Sequence, residues 1–401
     1  MSVPAEIKYS LVLKKPLRNG DFSTGLQMSH GVYTIAIPVL QKEVAALRKS
    51  AVDLQNTNEA DAAKKKADAA KKAGHAARKE ADAARKEADG FAVLSFPRVP
   101  SYYLTHGFEQ GSGGKTDRWW EENEESFPVE DRKEAPIYRR ERIPPLPAIM
   151  PQNLIDEFWT DNAKDAAKIH PDNKDSLLRP YLGAIYDRMT TEGRVNADKR
   201  LASLANFPLY LDEMRALDAE SPIRYAENMA LGLAAAHYAA LIHTQDVEFA
   251  IARRTNALDP DDPKNFDFGF RATQLWMLDY DKAGDFSIKR ESETEDMQKL
   301  VKKCMDGTDP YYPRCDVLDR EDFEVFAAFS NTYIKAGRAI MKHKLHADWA
   351  EIMGEDNVNK GLNRPKQFMR EWYNLQMSKH DEGMKRLLEK KFQEWKGMLR
   401  H

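Results

Sequence analysis

The chain has 401 residues, 42% of them hydrophobic, with 17 Phe, 15 Tyr and 7 Trp, enough for one large core or two ordinary ones. Its formal charge is −3, with 61 Lys+Arg against 64 Asp+Glu, which argues against a dedicated nucleic-acid binder, where a strong basic excess is expected. Two cysteines exclude a disulfide scaffold.

The first residues, MSVPAEIKYSLVLKK, lack the apolar run after a basic start that a secretory signal requires. Residues 1–37 then read as an extended or β-like arm. Ile7, Tyr9, Leu11 and Leu13 recur at the period of a half-buried strand, and Gly31–Ile37 is a second candidate. Two strands alone are marginal, so a small hairpin and an arm laid on another subunit both fit.

Residues 38–89 predict a long, coiled-coil-like helix. No proline occurs from Val39 to Asp89, and Ala, Lys, Glu and Arg are strong helix formers. Unbroken, such a helix is a rod of roughly 75 Å. Leu40, Val44, Leu47, Ala51 and Leu54, spaced four and three, form a seam for a partner helix. Beyond it the repeat is seven, with Ala60, Ala67, Gly74, Ala81 and Ala88 on one line and Ala63, Ala70, Ala77 and Ala84 on another. An alanine seam buries much less apolar area than a leucine seam. Three readings fit it: an exposed single helix, close helix-on-helix packing, or a charged linker.

Residues 90–151 read as an extended, Pro/Trp/Tyr-rich wrapping segment. Pro144, Pro145, Pro147 and Pro151 oppose regular helix, while Trp119 and Trp120 sit in an acidic block as candidate anchors.

Residues 152–401 predict an all-helical domain, giving a mainly α fold with an irregular bundle as its body. The expected helices are 152–168, 172–190, 195–217, 220–256, 268–282, 290–305, 320–353 and 364–399. Met229–Ile242 is the most apolar run, but it falls short of the ~20 residues that span a bilayer and reads as a buried Ala-rich core helix. The last helix sets Phe368, Trp372, Leu375, Met384, Leu388, Phe392 and Trp395 near one stripe.

Candidate chemistry is sparse. The GSGGKT string at 111–116 ends like a phosphate-binding loop, but Glu109 stands where the leading glycine is needed and an acidic run follows. Cys304 and Cys315 enclose a loop that a disulfide could clip, with two reduced thiols as the simpler reading. His343 and His346, followed by Asp348 and Glu351, share a helical face, yet the positions three before the histidines hold Ile340 and His343 instead of carboxylates. His237 and His243 read as core or edge histidines. No catalytic residue, metal ligand or cofactor is expected.

The expectation is therefore a non-catalytic structural or accessory subunit of a large multiprotein assembly, intracellular, soluble or peripheral to a membrane complex, with no integral membrane span. Its partners are protein subunits, met through Leu40, Val44, Leu47, Leu54, Trp119, Trp120, Trp372 and Trp395; nucleic acid and small-molecule substrates are not expected. A soluble enzyme with a pocket in the helical domain, or a nucleic-acid-associated or capsid-like protein, are the alternatives.

Overall fold

A computed structural model describes residues 10–12, 96–100, 102–106, 125, 129, 137–147, 149–185, 203–254, 273–280, 282–287, 293–305, 310–348 and 361–398. The helix expected at 38–89, with Leu40, Val44, Leu47 and Leu54, falls outside these residues. So do Trp119, Trp120, the GSGGKT string and the 257–267 loop.

Eight α-helices and nine short strands occur among the described residues, which are mostly helical with small sheets between the helices. Strands β1 (Ser10–Val12), β2 (Tyr102–His106) and β3 (Ile137–Arg140) pair antiparallel, with β3 central. Helices α1 (Ile149–Phe158) and α2 (Asp161–Ile169) follow, and α1 puts Met150, Leu154, Ile155 and Phe158 into the core. Next come β4 (Leu178–Tyr181), β5 (Phe207–Tyr210) and α3 (Leu211–Leu217). Helix α4 (Ser221–Ala234) widens into a π-turn over Ala235–Ala240 and ends at Leu241 in a left-handed conformation. The rest comprises β6 (Ile242–His243), β7 (Glu248–Arg253), β8 (Thr273–Leu278), β9 (Gly284–Asp285), α5 (Glu293–Met305), α6 (Arg320–Asp348), α7 (Arg364–Met377) and α8 (Glu382–Met398).

The strands overturn the expectation of an all-helical body. Residues placed in the helices 172–190, 195–217, 220–256 and 268–282 instead supply a mixed four-stranded sheet in the order β5-β4-β7-β8. β4 runs parallel to β5, and β7 runs antiparallel to β8 from Glu248↔Leu278 to Arg253↔Thr273. The reason lies in the two faces of the hairpin. Phe249, Ile251, Leu275 and Met277 enter the main core, while Ala250, Ala252 and Trp276 form a second cluster with Ile143 and Leu177. A strand buried on both faces has no polar alternation, and a short apolar run then reads equally well as helix.

Helix α4 runs through the centre, with every residue from Asn228 to Ala239 buried, and α6 packs along it. The alanines at 230, 234, 235 and 236 make this close approach affordable in space, since each projects only a methyl group. The expected single helix at 364–399 is two. It breaks at Ser378–Asp381, where the Asp381 carboxylate accepts the Met384 N–H at 2.8 Å and starts α8 with an N-cap. Within the 90–151 segment, Phe96, Val99, Ile143, Leu146 and Met150 pack into this body. Arg98 donates its N–H to the Leu275 carbonyl and accepts that of Met277, both at 2.8 Å, covering the outer edge of β8. Its guanidinium lies 5.2 Å above the Trp276 ring.

Candidate functional site

The densest polar cluster of the body grows from the π-turn of α4. The wider turn sets His237 on the α6 side, fully buried. Its Nδ1 lies 2.8 Å from the Tyr333 hydroxyl of α6, and Tyr333 donates to the Tyr238 hydroxyl at 3.1 Å. Its Nε2 lies 3.3 Å from Cys304 Sγ of α5, which is in turn 3.4 Å from Thr244 Oγ1. The rings of Phe368 and Phe286 close the sides, with centroids 5.0 and 5.8 Å from the imidazole.

Burial decides the chemistry. It pushes His237 down to about 3, with His243 adding to the effect, so the imidazole is neutral at any physiological pH. It pushes Cys304 up to about 11 in spite of the hydrogen bonds with Thr244, so the sulfur stays a thiol. The Tyr238 and Tyr333 phenols are raised as well, again by burial first. A nucleophilic cysteine needs thiolate character and access to a substrate, and this one has neither. The cluster is a closed chain of neutral hydrogen bonds.

Closer to the surface, His243 accepts from Lys303 Nζ at 2.9 Å. Burial, and then the Lys303 charge, lower it to about 4. Around the β6–β9 pair, Leu241, Asp246 and Asp279 hold positive φ of 57°, 60° and 63°, and Lys282 binds Asp246 at 2.5 Å. A shallow cavity of about 380 Å³ opens between the 182–185 loop and the start of α6. Its walls are Leu182, Ile185, Leu211, Val317 and Leu318, and its charged groups are engaged within the protein. Arg314 binds Asp316 at 2.8 Å, Asp316 also meets His380 at 2.6 Å, and Asp322 meets Arg215 at 2.5 Å.

The structure places the other expected residues as follows. Trp372 is 1% exposed and packs between Tyr312, Phe329 and Phe368, inside the chain's own core. Trp395 is 9% exposed, with Phe323 5.1 Å away and Lys391 above it. Cys304 and Cys315 are both thiols, so the 306–314 loop is not clipped by a disulfide. His343, His346 and Asp348 fall in the last turns of α6, and their side chains are outside the described residues. His237 and His243 were legible as core or edge histidines. The partners Cys304 and Tyr333 were not, because they come from helices 67 and 96 residues further along the chain.

No helix among the described residues is long and apolar enough to cross a membrane. Also among them, no three His, Cys, Asp or Glu side chains converge as a metal site would require. No curated protein and no solved structure matches the chain. Residues 275–345, under a fifth of its length, match the domain family DUF3669, described as a zinc finger protein.

Proposed function

We propose that the chain is a non-catalytic structural or accessory subunit of a larger protein assembly. In this reading the mainly helical body is a rigid mount, and the helix at 38–89 is the part that meets neighbouring protein subunits, coiled-coil fashion. The observation that carries it is the closed state of the body's polar interior. Burial holds His237 and Cys304 in neutral forms behind aromatic rings, and the charged groups that line the open cavity are engaged within the protein. Such groups add rigidity and specificity to a core, and they leave little with which to turn over a substrate. The seam of Leu40, Val44, Leu47 and Leu54 is the complementary feature, since it offers an apolar stripe that one helix cannot bury by itself.

The near-neutral charge supports protein subunits over nucleic acid as partners. An intracellular setting, soluble or peripheral to a membrane complex, goes with this proposal.

The test is the native mass of the full chain beside a variant lacking residues 39–89, with crosslinking to locate contacts. The expected result is association of the full chain, with itself or with proteins co-purified from its source, through crosslinks on 39–54. The deletion variant should be monomeric, with the melting temperature of its body unchanged. A monomeric full chain whose 39–89 helix crosslinks only to its own body would overturn the proposal.

A further inference from the structure

The description attached to the matched stretch implies a structural zinc, which in such modules is held by four Cys or His side chains around a small self-contained fold. Within 275–345 the nitrogen and sulfur donors are Cys304, Cys315 and His343. Cys304 and His237 lie close enough to share a metal, but what surrounds them is the Thr244 hydroxyl and the rings of Phe286 and Phe368. Cys315 is buried elsewhere, with its N–H held by Gln376 Oε1 at 2.7 Å. The nearest carboxylate in sequence, Asp316, is turned to Arg314 and His380. These residues do not fit a zinc centre.

Packing tells what the stretch does instead. Its strand β8 is paired with β7 on one side and covered by Arg98 on the other. Tyr333 and Cys304 complete their hydrogen bonds on His237 and Thr244. The Tyr311 carbonyl accepts the Leu182 N–H at 3.2 Å, and the Pro310 carbonyl that of Gly183 at 2.7 Å. Every one of these partners lies before residue 275, and Phe368, Trp372 and Gln376 lie after 345. Severed from them, the stretch would present Trp276, Met277, Phe329 and Tyr333 to water, with the Met277 N–H and the Tyr333 hydroxyl deprived of their partners, a state no small module sustains.

We infer that residues 275–345 are not a metal module but one part of a single metal-independent core, completed by residues 146–182 and 203–254. The smallest unit able to fold therefore includes 146–182, 203–254 and α7 along with the matched stretch. This inference does not depend on the accessory-subunit reading.

The test uses the full chain, produced with zinc in the medium and purified without chelator. Zinc is measured by elemental analysis, and the melting temperature is recorded with EDTA, with added zinc chloride and with neither. Two variants, Cys304→Ser and Cys315→Ser, accompany it, since serine keeps a hydrogen-bonding group at Cys304 and disturbs little. The expected result is zinc well below one equivalent and a melting temperature that neither treatment moves. Zinc retained equally by wild type and both variants lies outside these thiols and also supports the inference. Near-stoichiometric zinc that either substitution removes, or a melting temperature that collapses on chelation and recovers with zinc, overturns it.

Discussion

At the scale of single residues, His237 is where burial has the clearest consequence. Its proton affinity falls from an ordinary 6.5 to about 3 in the folded chain, while the unfolded chain keeps the ordinary value. Below pH 6.5 the unfolded state therefore binds a proton that the folded state refuses. Stability is full above that pH and is lost progressively as the pH falls toward 3. His243, lowered to about 4, acts in the same direction over a narrower window. In His237→Gln the titrating group is gone while an amide remains to meet Tyr333 and Cys304. Denaturant titrations from pH 7.5 to 4.5 should show the variant about 1–3 kcal/mol less stable than wild type at the upper end. The gap should narrow toward the lower end, because only wild type carries the imidazole's share of the acid loss. Parallel curves for the two proteins would mean that His237 takes up its proton in the folded state, and the closed neutral cluster would have to be abandoned.

At the scale of elements, two glycines set the distances between helices and sheet. A β-carbon on Gly232 of α4 would come within 2.7 Å of Pro97 Cγ and 3.0 Å of Met277 Sδ. One on Gly337 of α6 would come within 2.7 Å of Pro365 Cγ and 2.8 Å of Tyr238 Cε2. On an exposed helix face Gly→Ala stabilises by about 1 kcal/mol. Here overpacking of about 1–3 kcal/mol should win, because the ring atoms and the proline belong to well-packed neighbours. Gly232→Ala and Gly337→Ala should each lower the melting temperature, and an unchanged or raised value at either would show that the contact relaxes at no cost. Gly337 also shows what could be read beforehand and what could not. The start of α6 at Arg320 and the span of α5 were legible, because each has one apolar and one charged face. The burial of the Met229–Ile242 run was legible from its apolar residues as far as Ala239, but Ala240 is half-buried, Leu241 is exposed and Ile242 leaves the helix for β6. The role of Gly337 was not, since the ring it must admit comes from Tyr238, a hundred positions away. Strands β7 and β8 were misread as helix because Phe249 and Ala250, adjacent in sequence, are both buried, one on each face of the sheet. The break before α8 was missed because its signal is one N-capping aspartate, Asp381, while the nearby Gly383 lies inside the new helix and does not mark the end of the old one.

At the scale of the whole molecule, the segment from Phe96 to Pro100 is the earliest part of the described chain that packs into the main core. It precedes α1 by about fifty residues, yet it supplies the outermost strand-like pairing of the four-stranded sheet and buries Pro97, Val99 and Pro100. An uncovered β8 would expose the N–H and C=O groups of Leu275 and Met277, which is a template for pairing with another chain. Arg98 strengthens the cover through its ion pair with Glu141 and its place over Trp276, so that the strap is held at backbone and side chain alike. Two truncated proteins isolate its contribution, one starting at Phe96 and one at Ser101, since they differ only in this stretch. The first should melt cooperatively and stay dispersed. The second should melt several degrees lower and scatter light at concentrations where the first does not, because it lacks both the apolar contacts and the edge cover. Equal melting temperatures and equal dispersion would show that the strap only rests on the body. In that case β8 would be a true edge, and residues 96–100 would be released to serve, with the helix proposed at 38–89, as part of a surface offered to other chains.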